Sequence, residues 1–531
     1  MVTTVTRARF ASGSRLAAVL PPVAVAALVV VNGWSGLMPG VAFWDTGEFQ
    51  TVLPILGTAH PTGYPTYVLL GFVANLLLAP LGEPAFRMNV LSLLAVAVAA
   101  GATVVLIRQL TDSTVIGIAT GLGLATTTLV WKDAMAADPH PIHLAFVALL
   151  LVALVAWERA HANGSRADRW LVVAAVLFGL AAGNHSLTLL LVPPIALYVF
   201  AVEPGIRHRW RFALGCLGAA VLTLGLVYLE LPLRGGLVPA LTAPLVYARP
   251  ATWDGFWYIA LAEQFRGSLS DPFANLAGKL TELFALGSAQ LGLLVFAVPA
   301  AFLAAARRAP RYALLSGLAF AITVLFNAAY SNADISRYYL GPLLWAWTWL
   351  GILAAEVATF ARPFVAGLVS RLRAARTEDR AFDLAATASA VVLGLVLLAP
   401  TLGELAVRRA VVDRAHERAA QLWLAQVLPL IPDNAVLVSW WSTSTALWYA
   451  QKVEAKRPDI FVVDDRTMLD LGLGRAPDVI NRYLNEHRPV YVIRLPGRDT
   501  EELTSQFDMQ VIAGSDDDAV WRVDGRLSAY R

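Results

Sequence analysis

Apolar windows of about 17 to 25 residues, the length that carries a helix across a hydrocarbon layer about 30 Å thick, recur through about the first three-quarters of the chain. They fall at residues 16–38, 87–107, 114–130, 142–157, 170–183, 187–202, 212–231, 285–306, 312–329, 340–360 and 384–402. This pattern predicts an all-α bundle of about eleven transmembrane helices over residues 1–403. A further apolar stretch at 67–81 is short and is closed by Pro80, so it reads as an interfacial or re-entrant helix rather than a crossing. The first window follows Arg7, Arg9 and Arg15 and ends without an Ala-x-Ala site, as expected of an uncleaved anchor.

From about Glu404 the period changes. Short β-type runs at 435–439, 460–464 and 490–494 alternate with helix-like segments at 443–454 and 476–486, and runs at 509–513 and 519–523 flank the polar turn 514–518. That alternation predicts a small α/β domain over 404–531. It has no Gly-x-Gly-x-x-Gly or phosphate-loop pattern, which removes support for a nucleotide site. Asp464-Asp465 follows a predicted strand and marks either a ligand crevice or a solvated turn.

Composition agrees with this picture. Hydrophobic residues make up 57% and charged residues only 15%, against about 25% charged in soluble proteins. The net charge of +3 comes from arginines in short loops, not from a basic face interleaved with aromatics, so nucleic acid is excluded as a partner. The single cysteine, Cys216, excludes an intramolecular disulfide and a thiolate metal cluster.

Arginines at 108, at 159, 166 and 169, at 207, 209 and 211, at 307, 308 and 311, and from 362 to 380 fall in alternate loops. Placing those loops in the cytoplasm puts the other loops and the C-terminal domain outside the cell membrane. The outer side then receives almost all of the unusual chemistry: the loop 45–65, Lys132 to Pro141, Asn184-His185, the long loop after Arg234, and Asn332 to Tyr339. Charges beside hydrocarbon cost roughly 2.5 to 3.5 kcal/mol each, so a cluster of them at one boundary is a functional candidate. A gradient-driven transporter or lipid-linked sugar flippase would place its ionisable groups near the bilayer midplane, and a scaffold would have no such cluster.

The first of these loops reads Trp44-Asp45-Thr46-Gly47-Glu48-Phe49 and then His60-Pro61-Thr62-Gly63-Tyr64-Pro65. It resembles the first-loop signature of the multi-pass family that includes the animal transmembrane protein O-mannosyltransferase, within the GT-C superfamily of lipid-phosphosugar-dependent glycosyltransferases. Gly179 to His185, Leu231-Pro232-Leu233-Arg234 and Arg337-Tyr338-Tyr339 extend the likeness. It departs at Thr62, where a second proline is expected, and at Asp138-Pro139-His140, where Glu-Val-Tyr is common. The resemblance implies transfer of a sugar, such as mannose, from a polyprenyl phosphate to a hydroxyl on a protein, glycan or lipid. It implies His60, Tyr64, His185, Arg234, Arg337 and Tyr338 as donor contacts.

The residues suit that chemistry. A phosphate leaves as an anion and needs electrostatic stabilisation, whereas an alcohol acceptor needs a base. Asp45 is the first choice for the base, and Glu48, three residues on, either supports it or is the base itself. Asp138 is a third acid, with helix capping as its structural alternative, and Asp133 carries less weight. Two neighbouring acids raise each other's pKa or share a divalent cation. His60, His140, His143 and His185 match no compact zinc spacing. Arg337, then Arg234, are the forked donors suited to a lipid phosphate, or else interfacial anchors.

Overall fold

The computed structural model describes residues 15–164, 168–332, 334–371, 378–494, 497–515 and 519–528. Arg7, Arg9, Arg166, Ala333, Arg373, Arg376 and residues 516–518 of the polar turn lie outside them. Among the described residues eight helices are long and apolar enough to cross a membrane: Leu16–Trp34, Pro84–Thr111, Pro139–Ala162, Pro204–Leu237, Leu276–Arg308, Pro310–Ala329, Ile335–Leu368 and Phe382–Val412. The other three predicted spans are helical but shorter. The window 114–130 breaks into helices Thr114–Ala125 and Thr128–Asp133. At the break, the hydroxyls of Thr126 and Thr127 donate back to Leu122 O at 2.6 Å and Gly123 O at 2.9 Å. The window 187–202 opens as a 3-10 turn, Ser186–Leu191, and becomes α-helical only at Val192–Val202, where Pro193 and Pro194 occupy positions that need no N–H donor. Helix Asp168–Asn184 completes the set.

Three helices form the centre. The apolar windows of Pro84–Thr111, Pro139–Ala162 and Ile335–Leu368 are 78%, 83% and 72% buried, whereas those of Leu16–Trp34, Pro204–Leu237 and Leu276–Arg308 are 17% or less buried and turn apolar side chains outward. That is the arrangement expected when the surrounding solvent is lipid. Some polar groups between the spans are paired: Trp347 Nε1 donates to Thr127 Oγ1 and Trp349 Nε1 to Ser316 Oγ, both at 2.9 Å. The stretch at 67–81 is a thirteen-residue helix, Pro65–Leu77, followed by a 3-10 turn. At 1.5 Å per residue it is about 20 Å long, too short to cross, as the sequence implied.

The last long helix, Glu378–Val412, runs past the expected boundary near Glu404, and helix Ala419–Val427 opens the C-terminal domain. Its five-stranded sheet comprises β1 (Val436–Ser439), β2 (Phe461–Val463), β3 (Val490–Ile493), β4 (Phe507–Ala513) and β5 (Val520–Arg526), in the order β2-β1-β3-β5-β4. β1 pairs in parallel with β2 and β3, Val438 lying opposite both Val463 and Val492, and β5 is antiparallel to β3 and β4. The three expected β-type runs, the helices and the hairpin are all present.

This domain sits on the first loop. Helix Trp441–Trp448 packs on helix Trp44–Ile55, and Thr51 Oγ1 donates to Thr445 O at 3.3 Å. Gly47 permits the approach, since a Cβ there would lie 2.1 Å from Ala42 O and 2.8 Å from Thr445 Oγ1. The signature glycine is therefore a packing residue that brings the C-terminal domain down onto the acids flanking it.

Candidate active site

Two loops at one end of the bundle are tied together before any catalytic group is placed. Gln50 accepts from Ala42 N–H at 2.7 Å and donates to Gly40 O at 3.0 Å and to Asn89 Oδ1 at 2.9 Å. Asn89 in turn donates to Met38 O and accepts from Ala137 N–H, each at 2.9 Å, and Ser92 Oγ accepts from Asp138 N–H at 3.2 Å. Gln50 and Asn89 are fully buried. This network fixes the chain on either side of Asp45 and immediately before Asp138.

Arg337, at the head of a central helix, joins the acids those loops carry. Its Nη1 lies 2.9 Å from Asp138 Oδ2 and 3.6 Å from Asp45 Oδ2, while Nε donates to Asp334 Oδ2 at 2.7 Å. Asp138 also caps helix Pro139–Ala162: its Oδ1 accepts from the backbone N–H of His140 and meets His140 Nδ1, both at 2.7 Å. Asp138 is thus the helix cap that the sequence offered, and it also lies against Arg337. Burial pushes its carboxyl up, but His140 and Arg337 outweigh this and hold it well below the usual range. Asp133 behaves oppositely. Burial, with the Asp138 charge behind it, lifts it to about 7.

Glu48 faces a different partner. It is buried, and its two oxygens meet His60, one at the backbone N–H at 2.8 Å and the other at Nδ1. Burial by itself pushes the imidazole down, but the Glu48 carboxylate, its hydrogen bond and the more distant Asp45 raise it to about 9. The imidazole is thereby held protonated at neutral pH against Glu48. Tyr64 OH lies 3.4 Å from His60 Nε2, and Phe49 packs edge-on against Tyr64 and Tyr67.

These groups border a cavity of about 1030 Å³ lined by Trp44, Asp45, His60, Tyr64, His140, His185, Arg337 and Tyr338. Of the three acids proposed from sequence, only Asp45 lies in its wall, with its side chain 39% exposed against 9% for Asp138 and 2% for Glu48. Rings of His140, His185 and Tyr338 cluster with centroids 4.7 to 5.5 Å apart, and the Nε2 atoms of His140 and His185 have no hydrogen-bond partner among the described residues. Arg234 stands outside this lining. It donates to Leu56 O at 2.7 Å and Ile55 O at 3.3 Å, closing the carboxyl end of helix Trp44–Ile55. His143 is likewise absent from the wall and lies against Thr188 Oγ1 at 3.3 Å. Among the described residues no group of three or more His, Cys, Asp and Glu is placed to hold a metal ion.

Sequence reasoning missed Gln50 and Asn89 and did not single out Asp334; of the wall supplied by the C-terminal domain it flagged only Asp464-Asp465, which do line the cavity. Thr58 N–H donates to Leu245 O at 3.2 Å and its hydroxyl accepts from Tyr247 N–H at 2.6 Å, which draws the loop 242–270 over the cavity. Trp441 of the C-terminal domain packs 5.8 Å from His60 and 6.4 Å from Trp44. Asn89 alone had a signal, an amide inside an apolar span.

By its fold the chain is a polytopic membrane protein of GT-C-like architecture. The structure of ArnT from Cupriavidus metallidurans bound to undecaprenyl phosphate aligns with a TM-score of 0.57 at 16% identity, covering 96% of this chain and 98% of that one. The Archaeoglobus fulgidus oligosaccharyltransferase tethered with an acceptor peptide aligns at 0.50 and 13% identity, covering 89% and 68%. At these identities the likeness is one of fold. Residues 45–205 match the family model described as the Protein O-mannosyl-transferase TMEM260 N-terminal domain. Mouse (Mus musculus) Protein O-mannosyl-transferase TMEM260 is 32% identical over 211 residues, 39% of this chain and 28% of the mouse protein. The family resemblance read from the first loop is borne out, although the matched region spans little more than a quarter of that relative.

Two outcomes test this site. Because His60 is raised from about 6.5 to about 9, the stability its ion pair contributes is complete below about pH 6.5 and is lost as pH rises through about 9. Melting of the protein in nanodiscs should therefore show a decline through about pH 9 that His60→Gln lacks; parallel profiles would contradict the pair. Arg337→Ala leaves Asp138 and Asp334 without their cation and should cost about 3 to 5 kcal/mol in unfolding, with Arg337→Lys costing less. Equal melting of all three proteins would show that the hub is not structural.

Proposed function

We propose that the protein is a membrane glycosyltransferase that moves a sugar, such as mannose, from a polyprenyl phosphate to a hydroxyl acceptor on the extracytoplasmic side. The observation that carries this reading is the pairing of Asp45 and Arg337 in one cavity wall, an exposed carboxylate 3.6 Å from a guanidinium. Asp45 accepts the proton of the acceptor hydroxyl as its oxygen bonds to the anomeric carbon. The bond from that carbon to the phosphate oxygen breaks, and the electron pair leaves with the phosphate, whose charge Arg337 stabilises. Asp138 is too strongly held by His140 and Arg337 to serve as base, and Glu48 is committed to His60. A divalent cation bound beside Asp45 would add to the charge offered to the phosphate.

Other features support the direction and the donor. Leu189, Leu261 and Leu269 give the cavity an exposed apolar side suited to an isoprenoid chain. The arginine loops meet at the opposite end of the bundle: Arg159 pairs with Asp112 at 3.1 Å, Arg308 donates to Leu110 O at 3.0 Å, and Arg311 pairs with Glu158 at 3.2 Å. By the positive-inside rule that end is cytoplasmic, which turns the cavity and the C-terminal domain outward, in a plasma-membrane setting. Support also comes from the names of the relatives, a protein O-mannosyl-transferase and structures bound to undecaprenyl phosphate or tethered to an acceptor peptide.

Asp45→Asn keeps the volume of the side chain and removes its basicity, so turnover of a reconstituted polyprenyl-phosphate sugar should fall about 10²- to 10⁴-fold while donor binding persists. Glu48→Gln should cause a smaller loss. Near-normal turnover in Asp45→Asn would remove it as the base, and loss in Glu48→Gln alone would reverse the two roles.

A further inference from the structure

The C-terminal domain supplies one wall of the cavity, and it does so with the carboxyl ends of its parallel strands. Trp440, Asp464 and Arg494 immediately follow β1, β2 and β3. Trp440 N–H donates to Ile493 O at 2.7 Å, which holds two of those ends together. In open α/β sheets this edge is where ligands bind, because connections diverge there and leave a crevice. Trp440, Trp441, Asp464 and Arg466 all line the cavity.

The wall contains polar groups that stability does not explain. Asp464 caps helix Asp465–Leu471 with one oxygen only: Oδ1 accepts from Thr467 N–H at 2.8 Å and from its hydroxyl at 2.5 Å. Asp464 is 0% exposed, yet its Oδ2 has no hydrogen-bond partner among the described residues, and the indole N–H of Trp440, at the end of the neighbouring strand, has none either. A buried polar group left unpaired costs about 1 to 3 kcal/mol, more when charged, so an orphan acceptor and an orphan donor in one cavity wall call for a ligand that satisfies both. The surrounding frame is stiff. Arg494 grips both oxygens of Asp465 at 2.7 and 2.8 Å, and Arg466 pairs with Asp470 while lying over the rings of Tyr258 and Tyr247 at 4.8 and 5.3 Å.

We infer that this strand edge is a pyranose-binding subsite. Asp464 Oδ2 accepts a sugar hydroxyl, Trp440 Nε1 donates to a sugar oxygen, and the indole of Trp441 offers an apolar surface to the C–H face of the ring. The inference rests on the glycosyl-transfer reading and deepens it. The sugar is either the headgroup of the lipid-linked donor or a residue of a glycan acceptor, and the two share this chemistry.

The test is saturation-transfer difference NMR on the full-length protein in nanodiscs, with methyl α-D-mannopyranoside and methyl β-D-glucopyranoside as probes. The wild type should transfer saturation to the ring protons of at least one of them. Asp464→Asn retains a side chain that caps a helix as well as aspartate does, and Trp440→Phe removes only the N–H and part of the ring. Each should weaken glycoside binding about tenfold or more with melting little changed. Displacement of the glycoside by a polyprenyl-phosphate sugar would assign the subsite to the donor, and simultaneous binding would assign it to the acceptor. Absence of transfer to either probe in the wild type, or equal transfer in wild type and both variants, would overturn the subsite. Donor turnover in the same samples separates the two claims. Turnover with unchanged glycoside binding in the variants leaves the transferase without this subsite, whereas weakened binding without turnover of any donor leaves the subsite and removes the transferase.

Discussion

The site depends on one guanidinium held among three carboxylates. Arg337 meets Asp138, Asp334 and Asp45 from three separate segments of the chain, and without a cation at their centre these acids would repel one another beside an apolar bundle. Removing charges from water is expensive unless they are paired with good geometry, so the arrangement persists only because the hydrogen bonds from His140 and its backbone complete the satisfaction of Asp138. The asymmetry of the three contacts matters most. Asp138 and Asp334 are bound tightly, and Asp45 is held more loosely, in the wall of the cavity.

The rest of the structure serves that geometry. Buried Gln50 and Asn89 staple the first loop to the segment before Asp138, and the Glu48–His60 pair stiffens the second half of the same loop. Arg234 closes the helix that carries Asp45 and Glu48. Gly47 lets the C-terminal domain descend until Trp441 touches His60 and Trp44. The backbone of Trp44, at φ 61°, is in the left-handed region that a bulky residue occupies at a cost of about 1 to 3 kcal/mol, and this strain falls at the cavity wall. The C-terminal domain is in this way part of the site and not an appendage to it.

Much of this was legible from local pattern. Asp45, Glu48, His60 and Tyr64 stood out because charge and a proline-stiffened turn beside an apolar span are costly, and the central strands of the C-terminal domain stood out as short continuous β-branched and aromatic runs, the pattern of strands buried on both faces. What could not be read was long-range. Asp334 is a loop acid like many others until Arg337 turns toward it, and Trp440 and Trp441 are aromatic core residues until the sheet edge meets the bundle. Arg234 carries the residue type of a phosphate receptor, and its backbone contacts become visible only in three dimensions. The window 114–130 looked continuous because hydropathy does not register threonine hydroxyls that bond back to the preceding turn. Helix Asp465–Leu471 is too short to show a period.

The most direct test of the account is a structure of the protein with a non-hydrolysable polyprenyl-phosphonate sugar. The account places the phosphonate within about 3 Å of the Arg337 guanidinium, the anomeric carbon facing Asp45, and the lipid chain along Leu189, Leu261 and Leu269. A headgroup bound outside this cavity, or seated within it with its anomeric carbon turned away from Asp45, would contradict it.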